Sequence, residues 1–271
     1  MLKDITIGQY YPGKSAVHRI DPRMKIILTT VYVVMLFVIE NPFGLLVGLF
    51  VIIVGYAVSK IPVLMLLRSL KPVLPIVIFT AVINIFFVVE GDPIWSWWIF
   101  SITAQGLLLA AVMTVRILCL IAGTSLLTYT TSPIVLTDGL ERLMSPLKAI
   151  KLPVHELAMM MTIALRFIPT LIEETDKIMS AQKARGADME SGGLTKRAKA
   201  LIPILIPLFV SAFRRADELA LAMECRCYRG GEGRTRMKQL KFTGVDALSM
   251  VFFALCLAAI IVINLTLPKL L

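Results

Sequence analysis

Between Met24 and Leu127 the chain carries only eight Asp, Glu, Lys or Arg residues: Lys25, Glu40, Lys60, Arg68, Lys71, Glu90, Asp92 and Arg116. A stretch so long and so poor in charge fits a bilayer, where helices satisfy every backbone polar group internally. Between Ser132 and Lys241 the pattern inverts, with 18 Lys/Arg and 12 Asp/Glu. The remaining stretch is apolar again. Overall the chain is 17% charged, against about 25% in a soluble domain. This patterning predicts an all-α integral membrane protein with about five transmembrane helices and a block of three further helices, two of them long. The expected divisions are a polar arm at 1–23, four spans within 24–131, the charged block at 132–241 and a last span within 242–271.

The spans read as Met24–Ile39, Phe43–Val58, Pro72–Val89, Gly106–Leu127 and Val245–Leu267. About 20 helical residues cross a hydrocarbon core, so the first two are short and need tilting or shielding by neighbours. Glu40-Asn41-Pro42 between them is a turn signal; a single re-entrant hairpin is the alternative there. Orientation follows from the basic residues. Lys14, Arg19, Arg23 and Lys25 precede or open the first span, Lys60, Arg68 and Lys71 separate the second and third, and the charged block separates the fourth and fifth. The alternate connections at 40–42 and 90–105 hold no Lys or Arg. The positive-inside rule then puts the arm and the charged block in the cytoplasm and the C-terminus outside. Trp95, Trp97 and Trp98 fall in an external connection, as an interfacial belt does.

The net charge of +10 is accounted for by these orienting loops, so no nucleic-acid partner is expected. Cys119, Cys225, Cys227 and Cys256 supply no disulfide framework. Cys225 and Cys227 lack further Cys or His nearby and make a poor metal site. Met1–Asp21 is polar and mixed, unlike a signal peptide.

Within the charged block, a short helical segment runs from Ser132 to about Ile150. Val154–Ala184 carries Leu157, Met161, Leu165, Ile168 and Ile172 at helical period. A third helix is expected from Thr195 to about Tyr228, its apolar middle at Leu201–Phe213 kinked by Pro203 and Pro207. That middle is too short to span a membrane. It has to pack on other helices, dip into the membrane edge or meet a partner.

The residues offer no catalytic constellation. His155-Glu156 begins a zinc-protease pattern, but Met159 stands where the second His is needed. The glycine-rich run 230–235 lacks the Gly-Lys-Ser/Thr ending of a nucleotide loop, and no strand precedes it. Arg116, mid-span, costs at least about 2.5 kcal/mol unless it faces protein, water or a partner. It is either a structural residue bonded to polar groups such as Asn84 or a hinge and partner contact. Met159, Met160 and Met161 are flexible enough to repack against changing surfaces, or are ordinary packing residues.

Two segments rhyme. Ala181-Gln182-Lys183-Ala184-Arg185-Gly186 and Ala222-Met223-Glu224-Cys225-Arg226-Cys227 align Ala on Ala and Arg on Arg, 41 positions apart. Each ends a long amphipathic stretch, and small neighbours leave the guanidinium free to donate a fork of hydrogen bonds to carboxylates or free carbonyls. A solvated Arg complementing the helix dipole is the plainer alternative.

These segments stand in order with Ser15-Ala16-Val17-His18-Arg19-Ile20-Asp21-Pro22-Arg23-Met24-Lys25, Thr130-Thr131-Ser132-Pro133, Leu165-Arg166-Phe167-Ile168-Pro169 and Tyr228-Arg229-Gly230-Gly231. Together, over nearly the whole chain, they resemble the transmembrane (T) component of energy-coupling factor transporters, the EcfT/CbiQ family. The resemblance implies a non-enzymatic scaffold whose two long cytoplasmic coupling helices dock Arg motifs into two ATP-binding-cassette ATPases. It also implies a membrane-embedded substrate-binding S component that is reoriented to release a vitamin or metal ion. On that reading Ala184, Arg185, Gly186, Cys225, Arg226 and Cys227 form the ATPase-coupling sites. Met159, Met160 and Met161 are candidate S-component contacts and Arg116 is an intramembrane structural residue. No cofactor or metal is bound by the chain itself, ATP being held by the partner ATPases. The family pattern is Ala-Arg-Gly at both motifs. Cys227 departs from it and leaves open whether the third helix stops there or continues to Gly230. A self-contained secondary transporter, the competing reading, needs acidic or broken-helix sites near the midplane.

Overall fold

The structure is a computed structural model that describes residues 10–87, 93–97, 100–187, 193–231 and 240–266. It is built of helices: α1 (Ala16–Arg19), α2 (Pro22–Val38), α3 (Pro42–Ser59), α4 (Val63–Leu70), α5 (Leu74–Phe87), α6 (Ala104–Thr130), α7 (Pro133–Leu143), α8 (Val154–Ala184), α9 (Leu194–Cys225) and α10 (Gly244–Thr266). A 3-10 turn, Lys71–Val73, joins α4 to α5, and another, Ser145–Ile150, precedes α8. The connection between α5 and α6 adds a small antiparallel hairpin, β1 (Pro93–Trp97) with β2 (Phe100–Thr103). Trp95 and Trp97 lie on β1; Trp98 falls outside the described residues.

Among the described residues, five helical segments are long and apolar enough to cross a membrane: Pro42–Ser59, Val63–Phe87, Ala104–Thr130, Val154–Ala184 and Gly244–Thr266. The set differs from the sequence expectation in three places. The segment expected to be the first span, α2, is 17 residues long; it buries Tyr32, Met35 and Leu36 on one face and exposes Val34, Phe37 and Val38 on the other. Conversely, α8 qualifies by length and apolarity although its sequence reads as a cytoplasmic helix. The third span begins at Val63 rather than Pro72. Pro72 sits in the 3-10 turn, so the helix passes through Arg68 and Lys71 instead of starting after them.

The chain forms two compact units. One is built from Gly8–Arg142 with Gln239–Leu271 and the other from Leu143–Lys238 with the first residues of the chain. In the larger unit Pro22 and Pro42 occupy first-turn positions of α2 and α3, where a missing N–H costs nothing. The core joins α2, α3, α6 and α10 through Met35, Leu36, Ile39, Ile52, Cys119, Ala122 and Ile260. Close approach depends on Gly123, where any Cβ would run into the Tyr32 ring. Tyrosine hydroxyls inside the bundle donate to helix carbonyls: Tyr32 to Gly48 at 3.2 Å, Tyr56 to Ala122 at 3.1 Å and Tyr129 to Met65 at 3.0 Å. By contrast α4 and α5 leave Leu64, Leu67, Ile76, Phe79 and Phe87 exposed, a surface suited to lipid or a membrane partner.

The N-terminal arm is wired to this unit by polar contacts. Asp246, 1% exposed, accepts from the Asp21 N–H at 2.7 Å, the Thr243 N–H at 2.6 Å and the Thr243 hydroxyl at 2.8 Å. Asp21 in turn holds Arg23 through Nε at 3.0 Å and a second guanidinium nitrogen at 2.8 Å, and the Arg23 guanidinium lies over the Phe242 ring. Lys25 donates to the Thr130 carbonyl at 2.9 Å and the Thr131 hydroxyl at 3.1 Å, capping the end of α6. The His18 ring sits between the Ser15 hydroxyl and the Tyr11 carbonyl. The runs 15–25 and 130–133 thus form a clamp that fixes the start of α2 against the end of α6 and the start of α10.

Arg116 is explained by the same logic. Its guanidinium donates to the Ile39 carbonyl at 2.7 Å, a group at the end of α2 that has no helical partner of its own. Asn264 donates to the neighbouring Val38 carbonyl at 2.8 Å. The structural reading of Arg116 fits this geometry, with a backbone carbonyl on α2 as the recorded partner rather than Asn84.

Candidate functional site: two arginine-capped helix ends

α8 and α9 pack against each other within one unit. Glu174 pairs with Arg215 at 2.8 Å, and Gln182 reaches the Pro203 carbonyl at 3.4 Å. As residue numbers rise along α8, their partners on α9 fall, so the helices run in opposite senses. The second contact has a local cause. Pro207 has no N–H, so the carbonyl four residues back, Pro203, is left without a helical donor, and the Gln182 amide supplies one. Pro169, Pro203 and Pro207 all lie inside continuous helix.

Both helices end on the arginine with the same backbone geometry. Arg185 is the last residue of α8 geometry, at φ −83° and ψ 4°, and Gly186 follows at φ +84°. The Gly186 N–H bonds to the Lys183 carbonyl at 3.0 Å and the Ala187 N–H to the Gln182 carbonyl at 3.0 Å. This paired pattern is the Schellman closure of a helix. At the second end Arg226 has φ −90° and ψ 13°. The Cys227 N–H bonds to the Glu224 carbonyl at 2.8 Å and the Tyr228 N–H to the Met223 carbonyl at 3.0 Å. Cys227 takes φ +55°, the left-handed position that Gly186 takes at the first end. The third helix therefore stops at Cys225 and does not continue to Tyr228 or Gly230, the point the sequence left open.

A left-handed non-glycine residue costs roughly 1–2 kcal/mol, so Cys227→Gly is expected to tighten the end of α9. Amide exchange at Cys227 and Tyr228 should slow by about fivefold, the factor for ~1 kcal/mol. Gly186→Ala should do the reverse at the end of α8. Nothing stands within 4 Å of its missing Cβ, so the penalty there is conformational alone. Unchanged exchange in both variants would contradict the matched-cap account.

Ala184, Arg185, Gly186, Cys225, Arg226 and Cys227 are all exposed. Neither arginine has an ion-pair partner among the described residues. Opposed packing places the two tips at opposite ends of the pair, near the start of α9 and the start of α8 respectively; Gly231, just beyond the second tip, lies against His155 of α8. Each helix is about 45 Å long at 1.5 Å per residue. The structure therefore presents two alike cationic knobs, well separated, on one paired-helix lever. Methionines lie along the lever near the second tip: Met160 and Met161 are half exposed and Met159 less so. On α9, Leu201, Ile206, Phe209 and Phe213 are also exposed, an apolar face that this unit alone does not cover.

The sequence reading passed over Asp246. Its signal was a Thr-x-x-Asp capping box, Thr243 to Asp246, opening the last apolar run.

The family model described as CbiQ, cobalt transport protein, matches residues 13–237. The energy-coupling factor transporter transmembrane protein EcfT of Ruminiclostridium cellulolyticum is 60% identical over 249 residues, 92% of each chain. Its counterpart in Acidaminococcus fermentans is 56% identical, covering 94% of this chain and 95% of the relative. That of Bacillus subtilis is 49% identical, covering 96% and 98%. With matches of this extent spanning the clamp, the membrane helices and both arginine-capped ends, the chain belongs to the CbiQ/EcfT family, the transmembrane components of energy-coupling factor transporters.

Proposed function

We propose that the chain is the non-catalytic coupling subunit of an ATP-driven importer, transmitting ATP hydrolysis in two ABC-type ATPases to a membrane-embedded, substrate-binding S component. The observation that carries this reading is the pair of matched arginine caps at opposite ends of the α8–α9 lever. Two alike knobs suit two alike sockets, as a pair of related ATPases would offer. A guanidinium at a helix C-terminus, flanked by small residues, enters a groove with little steric cost and bonds its carbonyls or carboxylates. ATP is bound by the partners, and closing of the ATPases moves the two tips together with the lever. The half-exposed Met160 and Met161 and the apolar face of α9 are the surface offered to the S component, where flexible side chains accommodate a moving partner. The arginine tips and the N-terminal arm face the cytoplasm and the C-terminus lies outside, in line with the distribution of Lys and Arg. The cargo is a vitamin or a metal ion held by the S component.

The test is affinity purification of the tagged chain from membranes that also express two candidate ATPases and an S component. Recovery of a complex containing both ATPases and the S component is expected. Recovery of the tagged chain alone, from membranes in which all partners are present, would sink the reading.

A further inference from the structure

The larger unit contains an apolar cavity of about 390 Å3, within the range of about 300–1,000 Å3 typical of ligand sites. It lies at the end of the bundle where α2 and α10 begin and α3 and α6 finish. Its walls include Val54, Gly55, Leu126 and Phe252, and the short α1 closes one side through Val17 and Ile20. Among the described residues the one cation in the lining is Lys25, its amine committed to Thr130, Thr131 and the His18 carbonyl. Among the described residues no acidic side chain lines the space. Water needs polar partners to fill a cavity, and these walls offer almost none. The rim is continuous with the lipid-facing surface, since Leu248 is 70% and Val58 42% exposed.

The mouth adds charge. Arg19 is exposed on α1, between the lining residues Val17 and Ile20, and Lys14 is exposed two residues before Ala16. Lys60, exposed, follows Val58 at the end of α3, against which α1 packs. We propose that the cavity binds an acyl chain of an anionic glycerophospholipid whose phosphate is met by Lys14, Arg19 and Lys60. The chain fills the space between α2, α3, α6 and α10, and the headgroup holds α1 down over it. A bound lipid would thereby support the clamp that joins the arm to the bundle. This site is independent of the arginine-capped ends and stands whether or not they bind ATPases.

Native mass spectrometry of the full-length chain in mild detergent tests the site, with palmitoyl-oleoyl phosphatidylglycerol or phosphatidylcholine as the offered lipid. The wild type should retain phosphatidylglycerol at least about tenfold better, because each Lys or Arg near an anionic headgroup favours it. Lys14→Gln with Arg19→Gln and Lys60→Gln should bring that preference close to one. Lys148→Gln with Lys151→Gln and Lys177→Gln, the same charge loss on the other unit, should leave it intact. Ser249→Phe, and separately Thr29→Leu, should fill the cavity and release the lipid while the melting temperature is held or raised. Equal retention of the two lipids by the wild type overturns the proposal. So does undiminished retention in a folded cavity-filled variant, or an equal loss from the two charge-removal sets.

Discussion

Arg185→Glu combined with Arg226→Glu is expected to abolish recovery of the ATPases while leaving insertion and the fold intact. Both side chains are exposed and neither has an ion-pair partner among the described residues, so no ion pair among those residues is lost. What changes is the partner contact. A charge-assisted hydrogen bond contributes about 1.5–3 kcal/mol, and reversing the charge adds repulsion where attraction stood. Either single change should weaken the complex by roughly 30- to 100-fold, because the remaining tip still holds one ATPase and keeps the other at high local concentration. The double change removes that avidity. Co-purification from detergent, with ATPase recovery measured per tagged chain, separates these outcomes. Undiminished recovery in the double variant would refute docking through the arginines. Equal losses from one and both changes would refute the two-socket arrangement.

Asp246→Ala is expected to be the most damaging change to stability. It leaves the Asp21 N–H, the Thr243 N–H and the Thr243 hydroxyl without their acceptor and removes an acidic residue from the first turn of α10. Stranding the buried Asp21 N–H costs about 1–3 kcal/mol, the two donors of exposed Thr243 can turn to water, and the lost charge at a helix N-terminus adds about 0.3–1 kcal/mol. A total of roughly 1–4 kcal/mol should lower the melting temperature by several degrees, at about 2–4 °C per kcal/mol. Asp246→Asn keeps one acceptor oxygen and should fall between. A wild-type melting temperature for Asp246→Ala would remove the clamp from the account.

Asp21 gives the clamp a pH dependence. Burial pushes its carboxyl up, but the hydrogen bonds from the Arg23 side chain and N–H, with the charge of Arg23, outweigh burial and hold it below the usual carboxylate range. A carboxyl depressed in the folded state contributes stability above its unfolded pKa and loses it as pH falls through the folded value. The Asp21 contribution should therefore be complete at neutral pH and fade only below about pH 4.

Much of the architecture was legible along the chain because each helix announces itself locally. The bounds of α8 follow from apolar residues at helical spacing between Pro153 and Gly186. The last span, read as Val245–Leu267, is α10, Gly244–Thr266. The start of α4 was hidden because Arg68, Lys71 and Pro72 read as a loop, whereas a 3-10 turn carries the helix through them. The partner of Arg116 was hidden because it is a backbone carbonyl, which no residue type reveals.

The sequence by itself determined that this is a helical membrane protein with a charged block of three helices, the two long ones each bearing the repeated arginine. Charge distribution, apolar length and helical period are properties of neighbouring residues, and they survive without any fold. Only the tertiary structure decided that α2 packs Tyr32, Met35 and Leu36 into the core, that Asp21 meets Asp246, and that Lys25 meets Thr130 and Thr131. It also decided that Arg185 and Arg226 stand at opposite ends of one lever, each closing its helix. Those relations depend on which distant backbones meet. At the second tip a local closure overrides the residue itself: Cys227 takes the left-handed turn of a glycine, with its own N–H and that of Tyr228 bonded back to Glu224 and Met223.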